Sequence, residues 1–561
     1  MPSTELELCT SILEDYFGYY VSTVGEHLMS NRMPLPLILR SLDPKKMSSV
    51  EVKRSIAILD HHNFLQFEYT SRGVIYSVHP PIILYLLRIP RCVCLLKALF
   101  GQVAEVLFTE FASMGKLSCS DAIRRVCKKL ELKDHSEVKS QFARLVQIKM
   151  LIRCPIVKAD DIGFPIFEET RDHFLMPHII LDADEPKTVE TKPIKEESGS
   201  RKRKFVEPDE RKCDSDCAIL WKINWPAMEV FLREDLVIDA LSSNEVFDKT
   251  TLHVARVLVK VSETKQQYNI SQSNPISVQD VLRYAKDNNL PYSQDLIRDK
   301  LTLLGMESNA LIRRVGDSGN GLYIIDYEKA IEFLCRENIE SAIREKIDDK
   351  AVRIFRLLCD KNYLEEDQIE KHAMLSAKEA KQTCYALVDN NFITTRQIAK
   401  TNDFAPARTF YLYSVAMSQI LGSMIDLTTG ALRNVIRRRM FEAHKYQALT
   451  DRNDKLENII ININAAPELD EEAKKEEIME VQKLYMTDGD RAELEKFKRA
   501  QTTFCSTEIE LERVLFIFQQ AQIFKQAKSE QEVQTRKRGR RSGAAAAQAN
   551  DGSGFPFFSV S

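Results

Sequence analysis

A helix-then-strand unit recurs four times along this chain, and no other feature of the sequence restricts its fold so far. In each copy three apolar residues fall at j, j+4 and j+7, one face of a helix. They are Val52/Ile56/Leu59, Val138/Phe142/Leu145, Ile297/Leu301/Leu304 and Ala380/Cys384/Leu387. A short apolar strand start follows each helix: Phe64-Leu65, Leu151-Ile152, Leu311-Ile312 and Phe392-Ile393. Repetition on the scale of a small domain means one module used four times.

The first copy defines the module. Leu6 to Val24 carries apolar residues at helical spacing, a second short helix is expected near Pro36, and a third opens at Ser48 with Glu51 three residues on. Serine and glutamate at that spacing form a capping box, each satisfying a free backbone N–H. The pattern then alternates as in strands over Phe64 to Tyr69, turns at Ser71-Arg72-Gly73, and returns over Val74 to Val78. Three helices and a two-stranded hairpin make a winged helix. The fourth copy repeats the box at Ser376/Glu379, with strands at 392–398 and 408–413. The third has its wing at 311–315 and 322–325, and the second is expected to return over Phe174 to Leu181.

A chain of 561 residues exceeds one hydrophobic core. The expected fold is mainly α with small β wings: four tandem winged helices, then a C-terminal helical hairpin or coiled coil. Winged helices are placed at 1–90, 91–181, 217–335 and 336–415. Residues 182–216 are rich in Glu, Lys, Asp, Pro and Ser, too polar to bury a core, and are expected to be a disordered charged linker. Residues 416–527 read as two long antiparallel helices broken at Ala465-Ala466-Pro467, and 528–561 as a disordered low-complexity tail. Only 18 glycines favour helix over glycine-dependent folds. No run approaches the roughly 18 apolar residues that span a membrane, and Glu5 and Glu7 stand where a signal peptide is basic. The 12 cysteines include no C-x-x-C and read as buried thiols in a reducing compartment.

Motifs of enzyme chemistry dissolve on inspection. Gly316-Asp317-Ser318-Gly319 sits between two short strands, where a hairpin turn demands those residues. His61-His62 is the one histidine pair, and neighbours on a helix point different ways. No zinc spacing occurs, so neither catalytic residues nor a metal or other cofactor are expected. The net charge of −3 confines nucleic-acid contact to local patches. The third helix of copy one exposes Lys53 and Arg54 beside Glu51, and that of copy four sets Lys378 and Lys381 against Glu379 and Asp389. Neither is a strong DNA face by this reading. Wing residues Arg72, Arg313, Arg314, Arg396, Lys400 and Arg408 are the better candidates for sequence-independent phosphate contact, or else are solvated hairpin ends and ion-pair partners. Denser basic helix segments lie at Arg124, Arg125, Lys128 and Lys129 and at Arg437 to Arg439. The clusters Arg201, Lys202, Arg203, Lys204 and Arg536, Lys537, Arg538 read as import signals, weak nucleic-acid contacts or solubilising charge. The stripes Leu456, Ile459, Ile463 and Leu511, Val514, Leu515, Phe518 are expected to meet a partner.

The stretch from Met374 through Lys381, Asn390-Asn391-Phe392, and Ala405 through Tyr413 resembles the fourth winged helix of the large winged-helix subunit of RNA polymerase III. Arg313 to Tyr323 is similar to that family's third wing, and Tyr69 to Val74 and Leu87 to Arg91 fit its first domain and connector. The resemblance runs in order from residue 5 to about 527. It implies a nuclear, non-catalytic subunit that docks on the clamp of the polymerase core and binds two smaller heterotrimer subunits. It further implies recruitment to the initiation factor TFIIIB and help in opening upstream promoter DNA, in synthesis of small RNAs such as tRNA and 5S rRNA. The large subunit of TFIIE shares the winged helix but carries a zinc ribbon, whose cysteines this chain lacks. Two other readings stay open: a winged-helix scaffold subunit of another complex, which ordinarily has one such domain after a solenoid, and a stand-alone DNA-binding transcription factor.

Overall fold

Four side chains, Ser48, Asp134, Ser293 and Ser376, each accept a hydrogen bond from a backbone N–H of the helix that follows. In the first and fourth copies the return bond from the glutamate is also made, so both capping boxes close. Each capped helix then buries the repeated apolar face. Val52, Leu59, Val138, Phe142, Leu145, Ile297, Leu301, Leu304, Ala380, Cys384 and Leu387 are buried, and Ile56 is half-buried. The helices end alike in three copies. Asn63, Lys149 and Asn391 adopt φ of 60°, 67° and 61°, and the next residue's N–H returns to the carbonyl of the anchoring leucine. These bonds are Phe64 to Leu59, Met150 to Leu145 and Phe392 to Leu387, each 2.9 Å. With the bonds from the Asn63, Lys149 and Asn391 N–H groups to the carbonyls three residues back, Asp60, Val146 and Val388, this is the Schellman motif. In the first and fourth copies the apolar residue expected to start the strand, Phe64 or Phe392, is therefore the motif's hydrophobic partner to the leucine five residues back, while in the second copy Met150 takes that place and Leu151 follows it.

The computed structural model describes residues 3–42, 47–70, 73–132, 134–159, 165–168, 173–176, 216, 219–243, 247–263, 271–288, 290–306, 311–399, 409–465 and 471–550. It divides into two compact units, Cys9–Val230 and Met1–Leu8 with Phe231–Ser561.

The first of these units holds two modules. The chain enters through α1 (Ser3–Phe17). Module one follows as α2 (Tyr19–Ser30), β1 (Met33–Pro34), α3 (Leu35–Ser41), α4 (Ser49–His61), β2 (Leu65–Thr70) and β3 (Gly73–Val78). The single helix expected over Leu6 to Val24 is two, broken at Gly18, whose φ of 84° and ψ of 177° no helix tolerates. A long α5 (Pro80–Phe100) leads on, continuous through the expected boundary at 90/91. Module two comprises α6 (Gln102–Met114), β4 (Leu117–Ser118), α7 (Cys119–Leu130), α8 (His135–Gln147) and β5 (Leu151–Arg153), a hairpin of β6 (Ile156–Ala159) and β7 (Pro165–Glu168), and then β8 (Leu220–Ile223).

Here the structure corrects the sequence reading. Of the return strand expected over Phe174 to Leu181, the described part, 174–176, is turn and irregular chain, and 177–181 lies outside the described residues. β8 takes its place, antiparallel to both β4 and β5. Residues 220–223 thus belong to module two, not to a third module beginning at 217. The segment expected as a linker over 182–216 lies outside the described residues except for Asp216. That residue is buried, and its carboxylate accepts from the Ser120 N–H at 2.9 Å and hydroxyl at 2.7 Å at the start of α7.

The second unit opens with the end of α9 (Trp225–Ser242). Module three follows as α10 (Lys249–Glu263), β9 (Ile276–Ser277), α11 (Val278–Asp287), α12 (Gln294–Gly305), β10 (Ile312–Gly316) and β11 (Leu322–Ile325). The Gly316–Gly321 segment is the wing turn, with Asn320 and Gly321 at φ of 69° and 122°. α13 (Tyr327–Lys346) runs unbroken through the expected boundary at 335/336. Module four is α14 (Asp349–Lys361), β12 (Tyr363–Leu364), α15 (Glu366–Ala373), α16 (Ala377–Asp389), β13 (Thr394–Ala399) and β14 (Thr409–Ser414). The sheet order is the same in all four modules: the second wing strand lies between the short early strand and the first wing strand.

The C-terminal region has four helices where two long ones were expected: α17 (Met417–Lys445), α18 (Gln447–Ala465), α19 (Glu471–Tyr485) and α20 (Asp488–Asn550). Extra breaks fall at Tyr446 and at Met486-Thr487, where the Thr487 hydroxyl and Asp490 carboxylate start a new helix. The two arms run antiparallel, since Tyr446 meets Phe497 and Arg439 meets Glu508 further back. The tail expected from 528 is helical as far as Asn550. Its alanines and arginines are strong helix formers, and low complexity alone does not oppose them.

Candidate nucleic-acid interface and docking faces

The two wing arginines of module three carry carboxylate partners. Arg313 Nη2 lies 3.5 Å from Asp326 Oδ2, a buried carboxylate that also caps α13. Arg314 Nη2 lies 2.8 Å from Asp317 Oδ1 across the turn. Asp317 is almost wholly exposed, so that pair is worth at most about 1 kcal/mol, and a phosphate can displace it. Arg396, in the wing of module four, sits 5.4 Å from the centroid of Tyr363. The register puts it on one face of the sheet with exposed Ile398 and Phe410. Arg72, Lys400 and Arg408 lie outside the described residues.

On the capped helices both glutamates of the first turn are engaged by other groups. Glu51 turns back to the Ser48 N–H at 2.7 Å, and this bond, with the Ser48 hydroxyl, holds its carboxyl below the usual range. Glu379 is claimed by Lys350 Nζ at 2.9 Å and by Ser376, Lys350 being the larger cause of its lowered pKa. Lys350 lies 29 residues away on α14, and nothing in the sequence announces that contact.

The basic segment on α7 is largely neutralised. Buried Glu110 draws Lys129 to 2.5 Å and Arg125 to 3.8 Å, and Arg124 lies 3.9 Å from Asp121. In the run at 437–439, Arg438 pairs with Glu442 at 2.5 Å and Arg439 with Glu508 at 2.7 Å.

The expected partner stripes are mostly occupied from within. Leu515 and Phe518 are buried in the second unit, where α20 packs along α17 and α13. Leu456 joins Leu449, Met486, Leu494 and Phe497 in one core cluster. Ile459, Ile463, Leu511 and Val514 are half-buried. An amphipathic stripe buries itself against the nearest apolar surface, and here the returning arm of the same chain supplies it. The import-signal candidates at 201–204 lie outside the described residues. Arg536, Lys537 and Arg538 lie on α20, with side chains outside them.

Among the described residues, no three His, Cys, Asp or Glu side chains come together as metal ligands. None of the helices searched is long and apolar enough to cross a membrane. His62 is half-buried against Phe64 and Phe17, with ring centroids at 5.8 and 4.7 Å, and burial pushes its pKa down to about 4. It packs; it does not ligate. Two residues that sequence reasoning missed, Asp216 and Trp221, matter to module two, and their partners lie far off in sequence.

Known proteins match this chain along nearly all of it. Family models for the RNA polymerase III subunit RPC82 helix-turn-helix domain, the RPC82 subunit itself, and the C-terminal winged-helix domain of POLR3C match residues 7–68, 168–334 and 339–415. The DNA-directed RNA polymerase III subunit RPC3 of Mus musculus is 29% identical over 548 residues, covering 92% of this chain and 98% of the relative. The RPC3 proteins of Homo sapiens and Danio rerio are each 28% identical, with the same coverage. Three family models fall in order on successive parts of a chain that repeats one module four times, and the relatives are matched almost end to end. The chain belongs to the RPC3/RPC82 family, the large winged-helix subunit of RNA polymerase III.

Proposed function

We propose that this chain serves as a non-catalytic, nuclear subunit of DNA-directed RNA polymerase III. The observation that carries the reading is the near end-to-end match to subunits of that name, over 98% of the length of the Mus musculus relative. In this role the modules present docking faces to the clamp of the polymerase core and to two smaller heterotrimer subunits. They assist recruitment to TFIIIB and opening of upstream DNA through contacts that do not read sequence. Support for phosphate contact comes from the exposed pair Arg314–Asp317 and from Arg396, both on wings. The basic clusters at 201–204 and 536–538 supply nuclear import in this reading.

Quantitative mass spectrometry of the tagged chain from nuclear extract at moderate salt tests the proposal. Near-stoichiometric recovery of the RNA polymerase III core with two small partners is expected. Recovery of a different complex, or of the chain alone, would overturn it.

A further inference from the structure

Four helices built on one plan can be compared position by position. Counted from their N-caps, the second, fifth, sixth and ninth residues point away from the buried anchors. On α12 two of these are Asp295 and Asp299, and Arg298 between them is paired to Asp295 at 3.2 Å. That face repels a phosphate backbone. On α8 the second and sixth are Ser136 and Ser140, with Glu137 exposed beside them. α4 places Lys53 and Arg54 among apolar neighbours, Val50 at 55% and Ile58 at 37% exposure. That is the chemistry of a protein-facing surface.

α16 differs from all three. Its four outward positions are Lys378, Lys381, Gln382 and Tyr385, all exposed, and every one carries a hydrogen-bonding group. Neither lysine has a carboxylate partner among the described residues. The one acidic side chain in the helix's first two turns, Glu379, is drawn aside by Lys350 and Ser376. Asp389 stands eleven residues beyond Lys378, roughly 16 Å along the axis. The helix N-terminus, beside Lys378, adds its own partial positive charge.

We infer that the exposed face of α16 is the chain's principal duplex-docking ridge, seating against the phosphate backbone through Lys378 and Lys381, with Tyr385 as a third contact. The inference rests on the sequence-independent DNA contact proposed above and assigns it to this helix ahead of the wing arginines. An α-helix fits a B-form major groove about 12 Å wide. Cations without carboxylate partners are what phosphate contact requires, and α16 offers them with no aliphatic side chain among its four outward positions, where α4 has Val50.

The test uses the full-length chain and a 30-bp duplex of arbitrary sequence, with affinity followed by fluorescence anisotropy over a range of salt. Replacing Lys378→Glu with Lys381→Glu should lower affinity roughly tenfold or more. It should also reduce the slope of log K against log salt by about 2, the value for two lost phosphate contacts. Lys378→Arg with Lys381→Arg should keep both affinity and slope. Lys53→Glu with Arg54→Glu on α4 should leave the slope near that of the parent. An unchanged slope in the folded Lys378/Lys381 variant overturns the inference, as does a parent chain that does not bind duplex. So does a variant that binds DNA normally but no longer recovers polymerase subunits, which would make α16 a protein-docking face. Polymerase recovery by the parent chain is measured separately, so failure of the subunit assignment is told apart from failure of this one.

Discussion

Asn63, Lys149 and Asn391 occupy one structural position in three modules, the left-handed residue that ends the capped helix. A residue with a β-carbon pays about 1–2 kcal/mol to sit there, and asparagine least among them. Lysine at 149 is thus the strained copy. Lys149→Asn should stabilise module two by about 0.5–1 kcal/mol, seen as slower hydrogen exchange of the Met150 amide that closes the motif; unchanged or faster exchange would count against it. The same unit carries a pH-sensitive residue in His62. Its folded pKa is about 4, lowered first by burial and then by His61 and Lys116, against an ordinary 6.5. The unfolded chain therefore takes up a proton first as pH falls. Stability is full above about 6.5 and declines from there towards 4. His62→Phe keeps the ring packing and removes the titration. Calorimetry between those pH values should show the parent's transition falling relative to the variant's, and parallel curves would refute the assignment. Glu379 follows the carboxylate rule: its lowered pKa means the cap on α16 weakens only as pH falls below the ordinary glutamate range.

At the level of elements, what was legible in the sequence is what is local. Capping residues, the three anchors and the leucine-to-apolar step all lie within about five turns of helix, and there the pattern dictated the structure. β8 was not legible because it closes a sheet across an insertion, and nothing near residue 220 says that its partners stand at 117 and 151. The side-chain pairs that decide the candidate interface were equally hidden. Glu51 and Glu379 are legible as capping residues, but the Lys350 contact that draws Glu379 aside comes from 29 residues away. The placement of β8 makes a prediction. Trp221 is fully buried edge-on to Phe142, with centroids 5.5 Å apart, so Trp221→Ala should cost module two about 3–5 kcal/mol. Replacing 178–214 with a short Gly/Ser linker should not lower its melting transition, because Asp216 and β8 remain to hold the returning chain, and a shorter closed loop costs less entropy. A linker variant that unfolds module two would place structural weight on the insertion and contradict this.

For the whole molecule, the C-terminal arms decide whether an apolar stripe is core or interface. Sequence pattern cannot separate the two, since both need the same residues at the same spacing. The structure separates them by burial. Phe518 is fully buried and Leu515 nearly so, while Ile459 and Ile463 are half-buried on α18 next to exposed Ile461. An aspartate at 518 strands a carboxylate in a core with no partner, so Phe518→Asp should destabilise the second unit by several kcal/mol. Loss of polymerase recovery in that variant would report unfolding and not a docking contact. Ile459→Asp with Ile463→Asp removes much less buried surface. It should shift the melting transition by only a few degrees while lowering recovery of polymerase subunits. Thermal melts and co-purification measured on the same preparations separate the cases. Normal recovery with both isoleucines replaced would remove α18 from the docking surface and leave that role to the winged helices.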